Sequence, residues 1–227
     1  MVATDSCVAA HPLLAELIVN GHYEGATEVL LRVGVASGER AVLAVPSGRR
    51  IAVPSDVVVG GHGVVHEQVA DAWLQVSIGS FFQPGPVAAA ALVLAVGAAI
   101  GDALPPGGHL VDAYAGVGLF GATIGMASSA RVTAIENDPS AVADARINLA
   151  GLDAVVFEGE VGRWRPRAAA PTVDVVIADP ARSGLGKPGV GAVAGMGAAT
   201  VVLVSCDPAS LARDARLLVE SGYAMTS

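Results

Sequence analysis

A chain of 227 residues with 53% hydrophobic side chains can pack one large domain, or one domain and a smaller companion, and is too apolar to be disordered. Its 13 basic residues against 21 acidic ones give a net charge of −8, which argues against a surface built throughout for phosphate, although a local patch can override the global sign. Cys7 and Cys206, far apart in sequence, exclude a disulfide-stapled miniprotein and fit a reducing compartment, so a cytoplasmic location is expected.

The opening Met1-Val2-Ala3-Thr4-Asp5 lacks the basic and apolar segments of a secretion signal. From His11 to Val19, Leu13, Leu14, Leu17 and Ile18 recur at helical spacing. Glu28–Val33 and Ala41–Val45 flank the turn residues Ser37-Gly38 and predict a hairpin, with further short strands at Arg50–Val53 and Trp73–Ser77. Residues 1–79 are therefore expected to form a small β-rich domain with an N-terminal helix. The longest apolar run, Pro86 to Ile100, falls short of the ~20 residues of a membrane span and predicts a buried helix, with no membrane segment.

From about Pro86 the rhythm becomes strand, turn, helix. Strands are predicted at His109–Ala113, Arg131–Glu136, Ala154–Phe157, Val173–Ala178 and Thr200–Ser205. Between the second and third, Asp138-Pro139 starts a helix that stops at Gly151, with Val142, Ala145 and Leu149 on one face. Apolar strands alternating with helices imply an α/β fold with a mostly parallel sheet covered on both faces, over residues 80–227. The Gly-rich stretch from Gly184 to Gly197 reads as a loop or a loose helix, and Gly222 marks the end of the last helix.

Leu110 to Gly121 is a strand running into a glycine turn and a helix. Gly116, Gly118 and Gly121 satisfy G-x-G-x-x-G, and Glu136 ends the next strand where an acid would hold ribose hydroxyls, so both NAD and S-adenosylmethionine are admissible. Asp112 puts a carboxylate beside the ligand, which suits a cationic methionine moiety better than a pyrophosphate. Asp179-Pro180-Ala181-Arg182 adds a polar cluster at the end of the fourth strand, where a methyl acceptor would sit. In Ser205-Cys206-Asp207-Pro208, Asp207 is the expected N-cap and Pro208 the first helical residue, leaving Cys206 beside unpaired amides that favour a thiolate nucleophile. The alternative for an isolated cysteine is a small buried hydrophobe. His62, His66 and His109 show no metal-ligand spacing, and no metal is assigned.

Five motifs in order resemble the S-adenosylmethionine-dependent RNA uracil-5-methyltransferases, which form ribothymidine in transfer and ribosomal RNA. Phe81-Phe82-Gln83-Pro84 is similar to the family's F-F-Q motif, Asp112 to Phe120 to its D-x-Y-x-G-x-G-x-F motif, and Glu136 to its ribose acid. Asp179 to Leu185 is similar to D-P-P/A-R-x-G-L, and Ser205 to Asp214 to S-C-N-P-x-T-L-A-R-D. The resemblance implies a Rossmann-like class I methyltransferase behind the β-rich domain. It would transfer methyl to carbon 5 of a flipped-out uridine in tRNA or rRNA through a covalent Cys206 adduct at carbon 6. It further implies that Gln83 and Asp112 contact the methionine end of the cofactor, with Tyr114, Gly116 and Gly118 along it and Glu136 on the ribose. Asp179 would lie between cofactor and base, and Arg182 would stabilise the enolate or a phosphate.

The chain departs from that pattern. Asp207 stands where the family has Asn, and Gly85 where Asn is common. The family's general-base Glu and final pair of strands have no counterpart before Ser227, so a truncated C-terminal end is expected, and no N-terminal RNA-binding barrel is seen. Cys7 resembles the fourth ligand of an iron–sulfur cluster left alone, so no cluster is expected. RNA is the implied partner of what reads as a monomer with no obligate protein partner. Arg163-Trp164-Arg165-Pro166-Arg167 is a basic, aromatic cluster that either touches RNA or is a solvated loop. The rival readings are a catalytically inactive S-adenosylmethionine or RNA-binding module, which the missing base motivates, and an NAD-dependent oxidoreductase.

Overall fold

The computed structural model describes residues 7–48, 50–166 and 172–226. Met1–Asp5, Arg167 and Ser227, on which parts of the sequence reading rest, lie outside them. Helix α1 (Pro12–Asn20) is followed by short strands: β1 (His22–Glu24), β2 (Glu28–Val33), β3 (Arg40–Val45), β4 (Arg50–Ala52), β5 (Val57–Val59), β6 (Val64–Val69) and β7 (Ala72–Ser77). The predicted hairpin forms in the register Glu28↔Val45 to Val33↔Arg40, and β5 adds to β3 in parallel. β1, β5 and β6 escape the sequence reading. β1 and β5 have only three residues, too few to show a period even where β5 is all valine, and β6 carries His66, Glu67 and Gln68 at its centre.

Helix α2 (Pro86–Ile100) leads into β8 (His109–Asp112), β9 (Arg131–Glu136), α3 (Pro139–Asn148), β10 (Ala154–Glu158), β11 (Val175–Ala178), α4 (Gly186–Ala194), β12 (Thr200–Leu203) and α5 (Pro208–Glu220). The last five strands form one sheet in the order β10-β9-β8-β11-β12, parallel throughout. Alternate side chains cover its two faces. Leu110, Val132, Val175 and Ile177 pack with α2 residues Ala89, Val93 and Val96, while Val111, Ile135, Val176 and Ala178 pack with Val190, Val193 and Leu218. The chain leaves β8 in one direction and returns to its other side at β11. That reversal opens a crevice at the carboxyl ends of β8 and β11, where open α/β sheets bind ligands.

Of the two readings open for Gly184 to Gly197 the helical one holds, since α4 lies within it and buries Val190 and Val193. One expectation is corrected. The helix over Pro86–Ile100 is not buried all round. Ala89, Val93, Val96 and Ile100 face the core, but Val87 is 83% and Leu94 74% exposed. Because it has no polar side chain, periodicity could not reveal which face is outside. By length and composition alone, Pro86–Ala103 would suffice to cross a membrane.

The hairpin β6–β7 is fastened to α3 by polar side chains. Asp144, fully buried, accepts from Gln75 Nε2 (2.9 Å), Ser77 N (2.8 Å), Ser77 Oγ (2.8 Å) and Ser80 Oγ (2.6 Å). One turn later, Asn148 accepts from Gln75 N at 2.8 Å and donates to Gln75 O at 2.9 Å and Val117 O at 2.8 Å. Val69, Ala72 and Leu74 of the hairpin share a core with Leu110 and Phe120.

Candidate functional site

Strand β8 delivers Asp112 to the crevice and the chain then turns. Gly116 and Gly118 have φ of +52° and +89°, a region L side chains rarely adopt, and a β-carbon on Gly116 would meet nothing within 4 Å. The Gly116 N–H donates to Glu136 Oε2 at 2.8 Å, while Glu136 Oε1 accepts from Asn137 N (2.7 Å) and Asp138 N (2.8 Å). Glu136 therefore ties the turn after β8 to the turn after β9, a second task beyond the ribose role expected of it.

Asp112 is fully buried, and neither of its carboxylate oxygens makes a well-formed hydrogen bond, the Tyr114 amide being the nearby donor. Burial pushes its carboxyl up to about 8, and repulsion from Asp179 and Glu136 adds to the effect, with the nearby Tyr114 amide offsetting only part. Burial likewise raises Asp179. Gln83 Nε2 donates to Asp179 Oδ2 at 3.4 Å, so a residue from the turn before α2 meets the end of β11 across 96 positions. Phe82 packs into the core beneath, whereas Phe81 is 73% exposed. Three carboxylates and an amide thus lie close together, and among the described residues no ion pair with a basic side chain is made by Asp112, Glu136 or Asp179.

A cleft of roughly 430 Å³ lies beside this group, lined by Tyr114, Glu136, Asn137, Glu160, Pro180 and Leu185 among others. Tyr114 is half-buried, and burial followed by repulsion from Asp214 raises its phenol. Of the residues expected at a cofactor, Tyr114 and Glu136 line the cleft, while Gln83, Asp112 and Asp179 cluster next to it. No group of three His, Cys, Asp or Glu side chains among the described residues is arranged to hold a metal ion.

Cys206 lies in the loop after β12, the strand next to β11. Val204 N donates to Ala178 O at 2.8 Å, which brings the loops of Asp179 and Cys206 side by side. The thiol is exposed, so the buried-hydrophobe alternative is excluded. Asp207 caps α5 by accepting from Ser210 N at 2.8 Å, and its carboxyl is held below the usual range chiefly by hydrogen bonds at Ser210. Arg182 is 84% exposed, with Nε 4.0 Å from Asp207 Oδ2, an ion pair too open to contribute much on its own.

No protein-family model matches the chain. An uncharacterised RNA methyltransferase of Streptomyces coelicolor is 38% identical over 169 residues, which cover 73% of this chain and 36% of that protein. One from Corynebacterium efficiens is 32% identical over 185 residues, covering 79% and 43%. The structure of the Pyrococcus abyssi tRNA (uracil-54, C5)-methyltransferase in complex with S-adenosyl-L-homocysteine superposes with a TM-score of 0.66 at 25% identity, over 83% of this chain and 52% of that one. The chain is homologous to RNA methyltransferases. Its Rossmann-like architecture is that of a methyltransferase, and it spans about two fifths of the length of these curated relatives.

Within this methyltransferase fold the sequence reading named the carboxylates but overlooked what holds their loops. Ser210, Arg213 and Asp214 bind the segment that follows Asp179. The signal was present in the spacing of Ser210, Arg213 and Asp214, three polar residues at i, i+3 and i+4 on one face of a helix.

Proposed function

We propose that this chain carries the cofactor site and the nucleophile of an S-adenosylmethionine-dependent RNA methyltransferase, acting on carbon 5 of a uridine in tRNA or rRNA. The observation that carries this reading is the convergence of Gln83, Asp112, Glu136 and Asp179 at the reversal of the sheet, one loop away from an exposed Cys206. The residues fit the cofactor. Asp112 has two buried oxygens without a well-formed hydrogen bond where an ammonium needs acceptors, and the open space over Gly116 admits a ligand against the backbone. Repulsion among the three carboxylates is relieved by a cation, which separates this ligand from a pyrophosphate. The ligand in the Pyrococcus abyssi enzyme supports the same choice. When bound, the cofactor supplies an electrophilic methyl group on a sulfonium.

Carbon 5 of uracil is a weak nucleophile. In this reading the Cys206 thiolate adds to carbon 6, the electron pair moves to the ring as an enolate, and carbon 5 would take the methyl group as its bond to the sulfonium breaks and a neutral thioether leaves. A base then removes the carbon-5 proton and the bond between Sγ and carbon 6 breaks, which returns the thiolate. Asp179 would orient the base beside the cofactor, and Arg182 would balance the enolate charge. The uridine must leave its stack to reach the loop of Cys206.

The test is RNA containing 5-fluorouridine with S-adenosylmethionine, because fluorine at carbon 5 blocks the last proton removal and traps the adduct. A denaturation-resistant complex is expected with the wild type and none with Cys206→Ala. Cofactor binding without any adduct would instead establish a binding module.

A further inference from the structure

One face of α5 grips the loop that joins β11 to α4. Ser210 Oγ donates to Arg182 O at 3.0 Å, and Arg213 Nη2 donates to Ser183 O at 2.7 Å. The Asp214 carboxylate accepts from Leu185 N at 2.6 Å and Gly186 N at 3.1 Å. Arg213 lies side-on against the same carboxylate, Nε to Oδ1 at 2.9 Å and Nη2 to Oδ2 at 3.1 Å. Asp214 is only 1% exposed, so these partners replace water entirely. Gly184, at φ +75°, passes so close that a β-carbon there would land on Asp214 Oδ2.

The amino end of this helix is the Cys206 loop. A single rigid element therefore bears the nucleophile at its tip and holds the Asp179–Arg182 loop along its side. A plain cap on α4 would need only a carboxylate at its first amides. It would not need an arginine bridging back to Ser183, nor a glycine at 184 to let the two segments touch.

We propose that Arg213 and Asp214 are positioning residues that keep Asp179 and Arg182 in register with Cys206. The proposal rests on the reading of Cys206 as nucleophile. Neither residue touches the reacting atoms. Their effect would be geometric, and a displacement of about 1 Å at such a site can cost about 10²-fold in rate.

Amide hydrogen exchange on the full chain, without RNA or cofactor, would compare wild type with Asp214→Asn and Arg213→Gln. Leu185 and Gly186 are expected to exchange about tenfold faster or more in the variants, while Val176 to Ala178 keep their protection. With 5-fluorouridine RNA, the adduct should form about 10- to 100-fold more slowly in the variants. The cofactor concentration for half-maximal rate should move less than about threefold, a split that general loss of structure would not give. Unchanged exchange at residues 185 and 186 overturns the clamp. Faster exchange with an unchanged adduct rate overturns its positioning role. If Asp214→Asn does not fold, Arg213→Gln, which alters a half-exposed side chain, supports the same comparison. A wild type that forms no adduct overturns the Cys206 reading and the positioning role with it, whereas a wild-type adduct matched by both variants overturns the clamp's role alone.

Discussion

Asp112 is where stability and binding oppose each other most directly. Its folded-state value of about 8, against an ordinary 3.8, means the folded chain holds a proton that the unfolded chain gives up. The stability this lends is fully present below about pH 4 and is lost as pH rises through about 8, so the wild-type melting temperature should fall between pH 5 and 8.5. Asp112→Asn cannot lose that proton, and its curve should be flatter. Binding follows the opposite sign. A cationic ligand needs the ionised carboxylate, so affinity for S-adenosylmethionine should climb by up to about tenfold per pH unit between pH 6 and 7, with release of a proton. Calorimetry in two buffers of different ionisation enthalpy would count the proton, and Asp112→Asn should show weak binding without it. An affinity flat across that range would remove Asp112 from the cofactor's amino end. Sequence placed this carboxylate correctly at a strand end next to a glycine turn. It could not show that the carboxylate sits without a cation among the described residues, because that depends on distant segments of the chain, which place Asp179 and Glu136 as repelling neighbours.

At the scale of elements, the same helix patterning that located α3 concealed what α3 does. Val142, Ala145 and Leu149 identified its apolar face. Asp144 and Asn148, one turn apart, received no role from the sequence, yet β7 packs against them and uses them in place of a neighbouring strand. Asp144→Ala would leave the amide of Ser77 and the side-chain donors of Gln75 and Ser77 without that acceptor, and Ser80 Oγ with Ser140 Oγ alone. A loss of about 3 kcal/mol or more is expected in chemical denaturation, with β6–β7 losing exchange protection first. Helix α5 makes a parallel point in its acidic limit. Burial favours the protonated form of Asp214, but hydrogen bonds from Arg213, Leu185 and Gly186 outweigh it and hold the carboxyl below the usual range. Its contribution is therefore retained above about pH 4 and lost as pH falls further, so acid should release the segment from Ser183 to Gly186 before the central strands.

For the whole molecule, the parallel sheet was legible because its strands are largely apolar runs separated by helical or turn-forming segments, and all five predicted spans match the observed ones within two residues at either end. The last ends at Leu203 rather than Ser205, and Val204 N still donates to Ala178 O, so the chain leaves β11 only at the loop of Cys206. The front of the chain was less legible. Its strands of three to six residues carry His, Glu and Gln among the apolar positions, and they pair into three small sheets that no periodicity specifies. What sequence inspection missed throughout is polar side chains acting on another segment's backbone, since spacing can show that polar residues share a helix face but not which distant amide or carbonyl they meet.

Helix α2 gives the molecule a surface chemistry of its own. Val87, Ala91, Leu94 and Ala98 form an outward stripe on a helix of 15 residues without a polar side chain. Apolar side chains that water must cage next to one another are attractive to any flat aromatic solute. The native protein should therefore brighten naphthalene-sulfonate dyes without any unfolding and be retained late on phenyl resin. Val87→Gln together with Leu94→Gln should abolish most of that signal while leaving the denaturation midpoint nearly unchanged, so a fluorescence rise that would ordinarily be taken for a molten state is, in this chain, a property of the folded one.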